Sequence, residues 1–120
     1  MDTPNYRKLI VWQKTHQNAL QIIKLTSHCD RKYLRIINQC VSAATSIGAN
    51  IAEGNSSATQ REKKRYFQIA RNSSYEFDNW LQIFKDSDSI VSNKDNLKEI
   101  EQLNIEVIKL LSRLISGLDS

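Results

Sequence analysis

From Tyr6 onward the apolar residues fall into a helical rhythm. Leu9, Trp12, His16, Ala19, Ile23 and Thr26 stand three and four apart, the spacing of one helix face turned towards a core. Leu20 and Ile22 widen this stripe, while Arg7, Lys8, Lys14 and Lys24 lie largely off it. A second stripe, Leu34, Ile37, Val41, Ala44, Gly48 and Ile51, runs beside Tyr33, Ile36, Cys40, Ala43 and Ile47. Two adjacent rows make that helix apolar over a wide arc, so it faces more than one neighbour. The third stripe is Tyr66, Ala70, Ser73, Phe77, Trp80 and Phe84, with Phe67, Ser74 and Leu81 beside it at heptad spacing. The fourth is Leu97, Ile100, Asn104, Val107, Leu111, Leu114 and Leu118, thickened by Leu103 and Leu110. No segment sustains period-two alternation, and no internal repeat appears. The pattern predicts an all-α fold in one domain, residues 1–120. Its expected architecture is an antiparallel up-down-up-down four-helix bundle with helices over 6–26, 31–53, 60–86 and 93–117.

The punctuation agrees with four helices. Asp30 or Ser27 can cap the second helix. Thr59-Gln60-Arg61-Glu62 reads as a capping box at the start of the third, and Ser92 or Asn93 caps the fourth. Gly54 is placed to end the second helix as a left-handed residue. Gly48 lies mid-helix, where glycine costs about 1 kcal/mol against alanine; close backbone approach of another helix is the expected compensation. Asn104 is either a register-setting polar residue in the core or the wet edge of its stripe.

Three glycines and one proline in 120 residues favour long uninterrupted helices. The formal net charge of +4 is unevenly laid out. Residues 1–71 hold 12 Lys/Arg against 4 Asp/Glu, and residues 72–120 hold 5 against 9. A basic first half suits an anionic partner; equally, copies of the chain could meet basic half to acidic half. Cys29 and Cys40, if both helical, stand about 16 Å apart at 1.5 Å rise per residue, too far for a disulfide. A reducing cytoplasm is the expected compartment. The apolar runs are far shorter than the ~20 residues that span a bilayer, so no membrane association is expected.

Three stretches in order carry a family resemblance. They are Tyr6-Arg7-Lys8-Leu9-Ile10-Val11-Trp12-Gln13-Lys14, Ser46-Ile47-Gly48-Ala49-Asn50-Ile51-Ala52-Glu53-Gly54 with Gln39 seven residues ahead of it, and Phe67-Gln68-Ile69-Ala70-Arg71-Asn72-Ser73-Ser74-Tyr75-Glu76. Together they resemble the small four-helix-bundle proteins of the 23S rRNA intervening-sequence family, relatives in fold of the accessory proteins of diversity-generating retroelements. The chain departs from that pattern where Cys40, Val41 and Ser42 replace an arginine pair and alanines, where His28-Cys29 replaces Phe-Pro, and where Asn72 replaces a glycine. The resemblance implies an all-α bundle that assembles as a homo-oligomeric ring, typically of five subunits, with no known catalytic activity and an association with RNA or DNA. The missing arginines remove basic residues that could have faced a nucleic acid.

Arg61, Lys63, Lys64 and Arg65, continued by Arg71, form the best anion-binding candidate, because they open a helix whose backbone N–H groups also favour phosphate. Tyr66 and Phe67 beside them could stack on bases, although their spacing places them in the core stripe. Gly48, Asn50, Glu53, Gly54 and Glu76 match the family motifs as structural or interface positions. Two glutamates could do acid–base work or hold a metal; the favoured alternative is capping, pairing with Arg71 or bonding at a subunit contact. His16 is expected to be a core-edge histidine bonded to a neighbouring helix. No phosphate loop, Cys-x-x-Cys or nucleophile elbow is present, so the expectation is a protein without enzymatic activity, cofactor, metal or small-molecule substrate.

Overall fold

The computed structural model describes residues 3–118. Four helices account for most of them: α1 (Ile10–Thr26), α2 (Leu34–Asn55), α3 (Gln60–Asp86) and α4 (Lys94–Gly117). Short 3-10 turns, Asn5–Lys8 and Arg31–Tyr33, precede α1 and α2, and no strand occurs among the described residues. Each helix packs against two others, α1 on α2 and α4, and α3 on α2 and α4, with α2 against α3 the most extensive seam.

Helix starts follow the capping chemistry. The Thr59 hydroxyl accepts from the Glu62 N–H at 3.2 Å, and Asn93 accepts from the Asn96 N–H at 3.0 Å. Asp30 caps the short turn before α2, accepting from the Lys32 N–H. The first helix does not begin at Tyr6. The chain makes a turn after Pro4, becomes extended at Leu9 and only then enters α1. The Gln13 side chain donates to the Arg7 carbonyl at 2.9 Å and ties that turn to the helix.

The core is built on Ile22, Ile47, Ile51, Phe77, Leu81, Phe84, Val107 and Leu111, all fully buried. Each contributes about 1.5–3 kcal/mol through removal from water. The α4 stripe is the expected one as far as Leu111; beyond it Ile115 is buried and Leu114 is exposed. In α3 the buried row is Phe67, Ala70, Ser74, Phe77, Leu81 and Phe84, leaving Tyr66, Ser73 and Trp80 at its half-buried edge. In α2, Leu34 is exposed rather than buried.

The α1 stripe is turned by about one residue from the expected one. Val11, Thr15, Asn18, Ile22 and Thr26 face inward, whereas His16 and Ile23 are exposed. Polar residues are tolerated inside because they find partners. The Asn18 amide donates to the Ile100 carbonyl at 3.0 Å, and the Thr26 hydroxyl to the Ile22 carbonyl at 2.7 Å.

Both glycines of α2 have different roles from those expected. Gly54 is not left-handed; no glycine among the described residues has positive φ, and the helix runs through it to Asn55. Its missing side chain makes room for an aromatic. A Cβ there would lie 2.8 Å from Phe67 Cε1 and 3.1 Å from Tyr66 Cβ. Gly48 is approached by side chains rather than by a backbone. The Trp12 indole Nε1 lies 3.4 Å, and Thr15 Cγ2 3.6 Å, from where its Cβ would be.

Asn104 resolves to the core alternative, with 0% exposure. Its amide nitrogen donates to the Ser74 carbonyl at 2.9 Å, while its Oδ1 is buried without a partner. A half-satisfied amide of this kind fixes the pairing of α3 with α4 at a cost in stability.

Two substitutions test these assignments by urea unfolding. Gly54→Ala overpacks against a buried ring, which costs roughly 1–3 kcal/mol and outweighs the ~1 kcal/mol gained in helix propensity, so the midpoint should fall; Gly117→Ala, whose Cβ would meet open space, should leave it unchanged or raise it. Asn104→Leu removes the unpartnered oxygen and should stabilise the protein by about 1 kcal/mol. A lower midpoint for Asn104→Leu would mean that the amide stabilises the core on balance.

Candidate nucleic-acid interface

The basic run occupies the first turns of α3. Arg61 and Arg65 are exposed, and Lys63 and Lys64 are half-buried. Thr59, Arg61, Glu62, Lys64, Arg65 and Gln68 line a shallow, open, polar concavity of ≈ 730 Å³. Glu62 lies within it, so the surface is cationic without being uniformly so. Lys63 is not part of that lining.

Arg71 does not join the cluster. It is half-buried and turned towards α4, where its Nη1 donates to the Ser112 hydroxyl at 3.3 Å, while its Nε is buried without a partner. The neighbouring aromatics are occupied as well. Phe67 is 4% exposed and lies against Gly54, and Tyr66 is half-buried beside it. The core role of this pair therefore prevails over base stacking.

The motif residues of α2 form a polar seam towards α3. Asn50 Nδ2 donates to the Ser46 carbonyl at 2.8 Å and to its hydroxyl at 3.1 Å, and that hydroxyl lies 3.1 Å from the hydroxyl of Ser73. Small hydroxyls let the two helices approach while satisfying one another. Glu53 and Glu76 are exposed, and among the described residues neither carboxylate makes a hydrogen bond; Arg71 turns to Ser112 instead. The Glu53 carbonyl accepts from the Ser56 and Ser57 hydroxyls at the end of α2. Among the described residues no three His, Cys, Asp or Glu side chains come together as metal ligands.

The thiols are not poised for chemistry. Burial pushes Cys40 up to about 12, and burial also raises Cys29, whose Sγ donates to the Ile90 carbonyl at 2.8 Å. Both are therefore thiols rather than nucleophilic thiolates at neutral pH.

Sequence pattern alone did not reveal the aromatic group at the start of α1. The Trp12 and His16 rings stack at 4.5 Å with 15° between their planes, and Tyr6 meets Trp12 edge-on at 5.1 Å. Their i, i+4 spacing was the available signal. His16 thus stacks within its own helix instead of bonding to a neighbour. A second cavity of ≈ 480 Å³ between the end of α3 and the start of α4 is lined by both charge signs. Its Lys94 amine is engaged by the carbonyls of Phe84 and Ser87. Among the described residues no helix is long and apolar enough to cross a membrane.

No curated protein matches the chain significantly. A crystal structure of a protein of unknown function from the S23 ribosomal protein family of Bacteroides thetaiotaomicron VPI-5482 is similar in fold, with a TM-score of 0.78 and 24% sequence identity over 88% of this chain and 98% of that one. The family model of the 23S rRNA-intervening sequence proteins matches residues 7–113. That match takes in nearly all of the three motif stretches and reaches from the turn before α1 into the last turns of α4, and the chain belongs to the 23S rRNA-intervening sequence protein family.

Proposed function

We propose that this protein is a non-enzymatic, self-assembling accessory protein that binds RNA or DNA through the basic opening of α3. The observation that carries the proposal is the pair of exposed guanidinium groups, Arg61 and Arg65, beside Lys64 on an open concavity at a helix N-terminus. Guanidinium groups contact phosphate bidentately, and the positive end of a helix dipole adds to the same attraction.

The helices run up, down, up and down in this reading. The cross-helix partners support it, because numbers fall on one helix as they rise on the next. Gly54 lies beside Phe67 and Ser46 beside Ser73 between α2 and α3. Arg71 meets Ser112 and Lys85 meets Glu101 between α3 and α4. Lys14 meets Glu106 and Asn18 meets Ile100 between α1 and α4. That order brings the turn carrying Arg7 and Lys8 to the same end of the bundle as the α3 cluster. Arg31, Lys32 and Arg35 go to the opposite end.

Self-assembly is favoured by apolar side chains left in water. Leu20 is 56%, Ile23 45% and Leu34 48% exposed, all towards the end away from the α3 cluster. A second copy covering them gives the ring that the family resemblance suggests, with five subunits. A ring held by its basic and acidic halves, without a nucleic-acid role, is the competing reading. The two free thiols suit a reducing cytoplasm.

Binding of a labelled RNA or DNA oligonucleotide across a salt series tests the proposal. The wild type should lose affinity steeply with salt, and Arg61→Glu/Arg65→Glu should weaken binding at least tenfold while reducing the salt slope by about two. Absence of binding at low salt overturns the nucleic-acid role; a monomeric mass by light scattering overturns self-assembly.

A further inference from the structure

The groove between α1 and α2 has the chemistry of a stacking site. It is lined by Trp12, Thr15, His16, Ala19, Ala44, Thr45, Gly48 and Ala49, encloses ≈ 190 Å³ and is open to solvent. Its floor is made of small residues, and the Trp12 indole edge lies 3.4 Å from where a Cβ on Gly48 would be. Its wall is aromatic. Starting from the chain terminus, the Arg7 guanidinium stands 6.0 Å from the Tyr6 ring centre, Tyr6 meets Trp12 edge-on, and Trp12 stacks face to face with His16. His16 is exposed at the free end of this series.

We propose that this groove receives an unpaired base of a single-stranded nucleic acid, stacked on His16 as the next ring of the series. The inference rests on the nucleic-acid role proposed above and names the kind of strand. Charge complementarity supports the occupant. None of the eight lining residues is acidic, Arg7 and Lys8 are exposed beside Tyr6, and Lys14 of α1 is engaged by Glu106 at 3.0 Å. A flat ring suits a shallow groove floored by glycine and alanine. A base in a duplex is already stacked on both faces, so only an unpaired one presents a face to the imidazole. Aromatic stacking also explains why binding here would be indifferent to sequence, since every base has a π face.

The experiment titrates a 20-nucleotide single strand, and the duplex of the same sequence, into the Trp80→Phe protein, in which Trp12 is the only tryptophan. The single strand should quench Trp12 fluorescence. In that background His16→Ala should weaken single-strand binding about tenfold, the scale of one lost stacking contact, and leave duplex binding unchanged. His16→Phe should restore it. Because His16 is exposed, the alanine variant should keep its circular dichroism and melting temperature. Unchanged single-strand affinity in His16→Ala overturns the stacking site while leaving the basic surface in place. Equal weakening towards strand and duplex overturns it too. A mononucleotide that quenches Trp12 as tightly as the strand overturns the assignment to a strand. If neither nucleic acid binds the wild type, the functional proposal itself fails, a result distinct from the others.

Discussion

The structure depends on how closely α2 can lie against its neighbours. Leu, Ile and Phe fill the space between helices in most bundles, but α2 presents Ala43, Ala44, Gly48 and Gly54 along with Ile47 and Ile51. Small residues bring the helix axis nearer to α3 and leave room for rings supplied from the other side. Phe67 takes the space at Gly54, and Trp12 takes the space at Gly48. The hydroxyl and amide seam of Ser46, Asn50 and Ser73 then closes at hydrogen-bonding distance. If α2 were bulkier, the aromatics would be displaced, and both the core and the outer groove would change together.

Much of this was legible in the sequence. Four helices, their caps at Thr59 and Asn93, and the buried row of α4 through Leu111 follow from spacing and from side-chain chemistry. The inward face of α1 was not legible. Its buried positions include Thr15 and Asn18, which a hydrophobic pattern scores as surface, and its exposed ones include Leu20 and Ile23, which it scores as core. Asn18 belongs inside because a carbonyl on α4 is waiting for it, and no single-helix pattern contains that partner. Gly54 misled for a related reason. A glycine ahead of a polar linker has the look of a helix stop, yet its reason for being there is a phenylalanine 13 residues later.

The candidate site was partly legible. A run of four cations at a helix start is visible by eye, and the structure keeps Arg61, Lys64 and Arg65 together. Arg71 lies further along α3, its guanidinium reaches Ser112 on α4, and it does not line the concavity. Glu53 and Glu76 are both motif residues, and both are exposed. Trp12 lay within a recognised stretch and His16 just beyond it, but the meaning of their stack depends on what surrounds it in the fold. That is a tertiary fact.

The join between α3 and α4 shows how this chain turns with so little glycine. The Lys94 amine reaches back to the Phe84 and Lys85 carbonyls in the last turn of α3 and to the Ser87 carbonyl just beyond it. A positive side chain from the following helix thus does the work that a left-handed residue commonly does within the chain. The reversal is held by a flexible methylene arm carrying one ammonium group. Loss of that charge, as in lysine acetylation, would loosen the last turn of α3 and the adjoining loop while leaving the packed phenylalanines undisturbed.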